Sequence, residues 1–380
     1  MLKLLKFHAA NSNNLKNLHF MKEKMKNTLL FKGGIAKSIT LSVMVAGLFM
    51  TSCAEDVLEE NPTTLEETQL QTIALAPRNG EMAFIEAKSG DSFDALKGRA
   101  TDAAGDDRGR FNISLKFLLP PTERQEQVFN DAAERWERII IGDVPSIVGP
   151  IPSAFSNFPD AVAEGEILDD IVIEVALAPI DGPGGILGQA GPNFVRTADF
   201  LTISGVMFFD VADLDFLEQL DLFEEVIVHE MGHVLGVGTL WNVAPFGFDR
   251  TLRQGSDDDP FFAGRKANVF WNAEGGTGEL PIEGDFGPGT RFGHWDEEAL
   301  DNELMTGFLN LGENPLSRIT AGSMRDLGYR SASVGESYDL PRGTEGVDAS
   351  ESAADGAGIQ ISEMETLLQP VGFVSVSNKK

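Results

Sequence analysis

Two histidines lie four residues apart in a segment with the pattern of a helix, His229-Glu230-Met231-Gly232-His233. Apolar side chains recur at helical spacing up to Gly236, a typical helix C-terminus. Residues four apart in a helix lie on one face, about 6 Å apart along the axis, so both imidazoles can bind one ion. Glu230 is turned by about 100° from His229 and reaches a water molecule beside that ion rather than the ion itself. The segment predicts a zinc site with Glu230 as the general base.

A catalytic zinc ion takes a third protein ligand and leaves a fourth position open. The chain has only five histidines, two of which lie in the first 20 residues, so His294 is the one histidine left. The acidic alternatives are Asp249 and the cluster 257–259, which we expect to be a solvated loop or a calcium site. We predict His229, His233 and His294 as the zinc ligands.

The charge of the chain restricts its partners. Residues 53–380 carry 22 lysines and arginines against 58 aspartates and glutamates. So acidic a protein repels phosphate backbones, and nucleic acid is excluded as a partner. The single cysteine, Cys53, can form neither an internal disulfide nor a cysteine-rich zinc site.

The N-terminus has the layout of an export signal. Eight lysines precede an apolar run from Ile39 to Met50 that is too short for a comfortable transmembrane helix. The run ends in Met50-Thr51-Ser52-Cys53, which resembles the lipobox of bacterial lipoproteins. We predict an exported protein, a cell-surface or outer-membrane lipoprotein that contacts the membrane only through a lipid at Cys53. Plain secretion is the alternative.

Composition divides the chain into four parts. Residues 1–52 are the leader, residues 53–110 an acidic tether or pro-segment, residues 111–340 a folded domain and residues 341–380 a C-terminal tail.

Local patterns predict the main elements of the folded domain. Alternating apolar residues over 111–119 indicate a strand, and Thr122 with Gln125 forms a capping box at the start of a long helix. Asp221 with Glu224 indicates the start of the histidine-bearing helix. Further strands are expected over 171–177 and 206–209, and a long loop or small insertion over 240–293.

The sequence resembles the leishmanolysin-like zinc metallopeptidases of the metzincin group. Short-motif metzincins extend H-E-x-x-H by a glycine and a third histidine; Gly236 fits this pattern, but Thr239 stands in the third-ligand slot. The residues between His233 and His294 look like the insertion that leishmanolysin-like enzymes carry there, and Met305 looks like their Met-turn. The resemblance covers roughly residues 111–340. It implies an α+β zincin catalytic domain with a twisted sheet, a long active-site helix and an irregular C-terminal subdomain.

Two functions follow from these features. The first is a zinc-dependent endopeptidase that hydrolyses peptide bonds through a zinc-activated water, with Glu230 as general base and a protein or peptide as substrate. Such a substrate could pair as an added strand with a sheet edge, for which residues 186–190 are a candidate. The second is a non-catalytic surface lipoprotein, an adhesin or scaffold, with a structural zinc site.

Overall fold

A mixed, mostly parallel sheet forms the centre of the fold. The computed structural model describes residues 73–90, 110–287, 291–338 and 359–377, all of which belong to one unit that begins at Ile73. Within these ranges nine strands form the sheet, in the order β2-β6-β8-β7-β14-β1-β4-β5, with β13 also paired to β7. The strands of this sheet are β1 (Ala83–Ser89), β2 (Ile113–Phe117), β4 (Ile147–Val148), β5 (Ile167–Leu168), β6 (Ile171–Ala178), β7 (Gly188–Arg196), β8 (Thr202–Asp210), β13 (Glu365–Leu367) and β14 (Gly372–Ser377).

In the described part of the chain, five short strands lie outside this sheet. They are β9 (Arg253–Ser256), β10 (Asp259–Phe262) and β11 (Leu280–Pro281), which pair with one another, and β3 (Ile140–Gly142) and β12 (Arg330–Ser331), which form a separate pair. The helices are α1 (Glu123–Ile139), α2 (Val211–Gln219), α3 (Phe223–Leu235), α4 (Arg265–Ala273), α5 (Glu297–Leu300) and α6 (Arg318–Leu327), with 3₁₀ turns at Ala244–Phe246 and Ile361–Glu363. The fold is therefore mixed α+β, as predicted.

Strand β8 is buried along its whole length because both of its faces are covered. On one face, Gly205 lies so close to α3 that a Cβ there would be 2.1 Å from Cγ1 of Val234. Farther along the same face, Phe209 packs edge-on against Phe129 of α1. On the other face Phe208 packs against Phe155. The sheet thus supports α3, the helix that carries both histidines.

The starts of the two long helices differ in how well the sequence predicts them. The capping box at Thr122 is present, with reciprocal hydrogen bonds to Gln125, so the prediction for α1 is confirmed. The prediction that Asp221 caps α3 is wrong, because the N-cap is Leu222, which makes no side-chain hydrogen bond. Asp221 instead has φ 58° in the tight turn between α2 and α3, a conformation that aspartate tolerates better than most residues. The predicted helix end at Gly236 is confirmed.

The C-terminal region is not a tail throughout. Residues 359–377 were assigned to a tail by composition, yet they supply β13 and β14, and β14 lies between β7 and β1 in the sheet. Strand β1 likewise comes from the region predicted as a tether or pro-segment. Composition reveals neither β1 nor the C-terminal strands, because all of them are stabilised by partners remote in sequence. The division of the chain into four parts stays a prediction.

In the described part of the chain, no helix has the length and apolar character needed to cross a bilayer. The leader and Cys53 lie outside the described residues.

Candidate metal centre

The two histidines of α3 turn the same ring nitrogen toward each other. Nδ1 of His229 lies 2.7 Å from the carbonyl oxygen of Leu304, and Nδ1 of His233 lies 2.9 Å from that of Val237. A carbonyl oxygen can only accept a hydrogen bond, so each Nδ1 carries the proton and donates it. This tautomer leaves the Nε2 lone pairs available for a metal ion. The two Nε2 atoms lie 3.0 Å apart.

His294 completes a triangle of nitrogens. Its Nε2 lies 3.2 Å from Nε2 of His229 and 3.1 Å from Nε2 of His233, and all three rings are fully buried. Backbone contacts on both sides attach the loop that carries His294. The N–H of Trp295 donates to the carbonyl of Met305, the N–H of Glu283 donates to the carbonyl of His294, and Gly293 packs directly on Gly238. His294, 61 positions after His233, is thereby fixed beside the helix.

The alternative third ligands lie elsewhere. Asp249 is exposed, Asp257 and Asp258 form the exposed turn between β9 and β10, and the exposed Asp259 is the first residue of β10. None of them belongs to the groups of described side chains that converge closely enough to hold an ion. Thr239, in the third-ligand slot of the short motif, donates its hydroxyl to the carbonyl of His233 at 2.6 Å instead. Calcium binding at 257–259 stays a prediction.

A buried turn at residues 303–305 lies against α3 beneath the histidines. Leu304 supplies the carbonyl that orients His229, and Met305 packs so closely on Gly232 that a Cβ there would lie 2.7 Å from the methionine sulfur. Gly232 therefore allows the turn to approach the helix. The carboxylate of Glu303 holds the turn by accepting hydrogen bonds from the Met305 backbone N–H and the Ser317 and Thr320 hydroxyls.

The triangle of nitrogens fits a zinc ion. Three nitrogens bound to one tetrahedral zinc at about 2.0–2.1 Å lie roughly 3.3 Å from one another, close to the observed 3.0–3.2 Å. Three unprotonated Nε2 atoms at these distances would repel one another, and a cation bound among them would offset that repulsion. Burial lowers the pKa of His233 well below its usual value, which favours the neutral form that binds metal. The donor set thus suits a divalent ion such as zinc.

Glu230 lies beside this triangle in an unusual setting for a carboxyl group. It is fully buried, its oxygens accept no hydrogen bond from an N–H or hydroxyl group in the described part of the chain, and its hydrogen-bonding neighbour is the carboxyl group of Glu365. A Cβ on Gly188 of β7 would lie 3.5 Å from its Oε1, so the carboxyl group points into the space between α3 and that strand. Burial and the nearby carboxylate of Glu365 raise the pKa of Glu230 well above its usual value. A group with these properties is suited to accept a proton.

Glu365 of β13 is a fourth member of the cluster that the sequence does not reveal. Its Oε1 lies 2.9 Å from Nε2 of His294, and its Oε2 lies 3.3 Å from Nε2 of His229 and 3.7 Å from Nε2 of His233. Burial acts to raise the pKa of Glu365, but the three histidines outweigh it and lower that pKa well below its usual value. Glu365 is one of 59 acidic residues, and no motif surrounds it. The one hint in the sequence is that Glu365 lies in an apolar stretch within an otherwise polar C-terminal region.

Comparison with known families agrees with this geometry. A family model described as leishmanolysin, a peptidase family, matches residues 142–345. The chain belongs to the leishmanolysin family. The resemblance noted in the sequence is confirmed, and membership of this family implies metallopeptidase activity on protein or peptide substrates. No curated protein matches the chain. The matched range contains His229, His233 and His294 but ends before Glu365.

Proposed function

We propose that the protein is a zinc-dependent endopeptidase in which His229, His233 and His294 hold the metal. The observation that carries this proposal is the convergence of three buried Nε2 atoms within 3.2 Å of one another, next to the buried carboxyl group of Glu230. Met305, packed beneath the helix, would be the Met-turn of the family, and Glu230 would be the general base.

The chemistry needs one contribution from the metal and several from the chain. A bound zinc ion supplies Lewis acidity, which polarises a peptide carbonyl and makes water acidic enough to attack it near neutral pH. Glu230 takes a proton from the attacking water and passes it to the leaving amine. Its raised pKa suits both steps, since the carboxyl group must hold the proton between them. The backbone carbonyls of Leu304 and Val237 keep the two helix histidines in the tautomer that binds metal.

A non-catalytic zinc protein is the second candidate, and one observation favours it. With Glu365, the cluster offers four protein ligands, the number that structural zinc sites use. Glu230 favours the enzyme, because a purely structural site has no use for a second buried carboxyl group beside that of Glu365. Burying such a group is costly, and proteins retain such costs mainly at functional sites.

The third ligand gives a direct test of the site. His294→Ala should lower zinc affinity by about 10- to 100-fold or more, the size of effect seen when groups around a zinc ion are removed. The apparent zinc dissociation constant is measured by competition with a chromophoric chelator. Asp249→Ala serves as the matched control, because Asp249 is the exposed alternative ligand. Unchanged affinity in His294→Ala, or an equal loss in Asp249→Ala, would contradict the assignment.

We also propose that the protein is exported and anchored by a lipid at Cys53. The support is the leader itself, with eight lysines followed by a charge-free apolar run that ends at this cysteine.

A further inference from the structure

The edge of β7 that faces the metal centre is occupied by the C-terminal segment. Strand β13 pairs in parallel with β7, with Glu365 opposite Gly188 and Leu367 opposite Ala190. The pairing extends beyond the strand: the Leu187 N–H donates to the Met364 carbonyl at 2.7 Å, and the Leu368 N–H donates to the Ala190 carbonyl at 2.7 Å. These residues of β7 are the ones that the sequence suggests as the place for a substrate strand. An added substrate strand would need the same backbone groups.

The same segment also fills the space around the metal site. Glu365 is fully buried, and its two oxygens lie 2.9–3.7 Å from all three Nε2 atoms. A carboxylate there takes the fourth position of a tetrahedral ion, which a catalytic site keeps open for water or substrate. One three-residue strand thus blocks the backbone groups and the coordination position that a peptidase needs.

We infer that β13 is a built-in inhibitor of the peptidase site, in which Glu365 occupies the open coordination position and β13 occupies the substrate edge. The inference rests on the proposed function and concerns its regulation. The intact chain would be latent, and activity would require β13 to leave β7. An attached segment is present at an effective concentration in the millimolar range, so it competes well against a free peptide.

The architecture allows β13 to leave without unfolding the sheet. Strand β14, which follows it, pairs with β1 over six residues and also with β7, so it holds the chain in place. By contrast, β7 is the one strand within the described ranges that pairs with β13. Residues Thr366 and Leu367 of β13 are half-buried rather than fully buried. Deleting the C-terminal segment from β13 onward would also remove β14. Point variants of the full chain are therefore the suitable test.

The first part of the experiment compares Glu365→Ala with Glu363→Ala in the zinc-loaded full chain. Glu363 lies two residues earlier and is exposed, which makes it the matched control. Glu365→Ala should weaken zinc binding by about tenfold, since one of four ligands is lost. It should also raise the rate of cleavage of an unfolded protein substrate by at least tenfold. Glu363→Ala should change neither quantity by more than twofold. Far-UV circular dichroism checks that each variant is folded.

The second part holds β13 in place by a covalent bond. Gln189 and Thr366 are partners across the two strands and both are half-buried, so a cysteine at each position can form a disulfide. The pair Gln189→Cys and Thr366→Cys is introduced into the Glu365→Ala chain, with Cys53→Ser to remove the native thiol. The oxidised form should be inactive. Reduction with a phosphine, which spares zinc better than dithiols do, should restore the activity of Glu365→Ala.

The outcomes separate the inference from the proposed function. Weaker zinc binding, faster cleavage by Glu365→Ala and loss of that cleavage in the oxidised form would support the inhibitor. If the unchanged chain cleaves as fast as Glu365→Ala, or if zinc affinity is unchanged in that variant, the inhibitor is excluded and the peptidase stands. In a third outcome, Glu365→Ala binds zinc more weakly but no form, including the reduced one, shows chelator-sensitive cleavage. That outcome would exclude the peptidase itself and indicate a structural zinc site.

Discussion

The position of His294 depends on a residue that has no side chain. Gly238 adopts φ +71°, and a Cβ added to it would lie 2.1 Å from the carbonyl oxygen of Gly293, the neighbour of His294. Backbone cannot move aside as a flexible side chain can, so any larger residue must displace the loop. Metal-ligand geometry is sensitive to shifts of this size, since productive sites are held to about 0.5 Å.

Gly238→Ala should therefore weaken zinc binding although Gly238 does not contact the metal. We expect the zinc dissociation constant to rise by about tenfold or more, as for other groups that orient zinc ligands. Gly247→Ala is the matched control, because Gly247 has φ +88° but open space around its Cα. Each variant places an alanine at a positive φ, which costs about 1–2 kcal/mol of backbone strain. Only Gly238→Ala should also lose zinc affinity. Equal zinc affinity in the two variants, measured by chelator competition, would show that the contact does not position His294.

Helices α1 and α3 are connected by a buried ion pair as well as by apolar packing. Arg135 of α1 is buried and contacts both carboxylate oxygens of Glu225 at 3.1 Å, and it also pairs with Glu336 at 2.9 Å. The neighbouring Trp136 donates its indole N–H to the carbonyl of Val228 at 2.8 Å, one residue before His229. Helix α1 thus holds the metal-binding helix by polar contacts as well as by packing.

Arg135→Met should lower the free energy of unfolding by about 1.5–3 kcal/mol, the usual worth of a hydrogen bond to a charged group. Arg124→Met is the control on the same helix, because Arg124 pairs with Glu218 at the surface, where both side chains are more than 40% exposed. An exposed pair of this kind contributes about 0–1 kcal/mol. Urea unfolding of the apo forms measures both values. Losses of the same size would show that the buried pair does not stabilise the contact between α1 and α3.

The elements that the sequence predicts are those whose signals are local. The capping box at Thr122, the glycine stop at Gly236 and the apolar run that becomes β6 each depend on neighbouring residues, and each matches the structure. The histidines of α3 are brought together by helix periodicity alone. His294 could be selected because histidines are so scarce in this chain.

The features that the sequence misses depend on distant contacts. Strand β13 is three residues long and pairs with residues 177 positions earlier, so nothing in its own sequence specifies the partner. Glu365 reaches the metal centre only through that pairing. Asp221 is predicted as the N-cap of α3, but it lies one residue before the actual N-cap, Leu222, in a tight turn that requires a positive φ. Helix α4 was missed within 240–293, a stretch whose many glycines favour loops.

In the whole molecule a basic leader precedes an acidic body. The leader is the basis for predicting where the protein is located in the cell. The lipid proposal requires Cys53 to become the N-terminus of the mature chain. Cys53→Ser should move the protein from the membrane fraction to the soluble fraction while zinc-dependent cleavage by the folded domain stays unchanged. Immunoblotting of the separated fractions measures the change. An unmodified thiol at Cys53 in the mature protein, detected by mass spectrometry, would contradict lipidation and leave plain secretion.

The central claim is that Glu230 acts as a base beside a histidine-bound zinc ion. Glu230→Gln keeps the shape of the side chain and removes its basicity, so zinc should remain bound with similar affinity. General base catalysis contributes about 10²–10⁴-fold, and cleavage should fall by at least that factor. The decisive measurement is the rate of chelator-sensitive cleavage of an unfolded protein substrate, with zinc content determined in parallel. The rate is measured for four proteins: the unchanged chain, Glu230→Gln, Glu365→Ala, and the variant that carries both substitutions. We predict that Glu230→Gln keeps its zinc and loses cleavage; undiminished cleavage by this variant would show that Glu230 is not the general base.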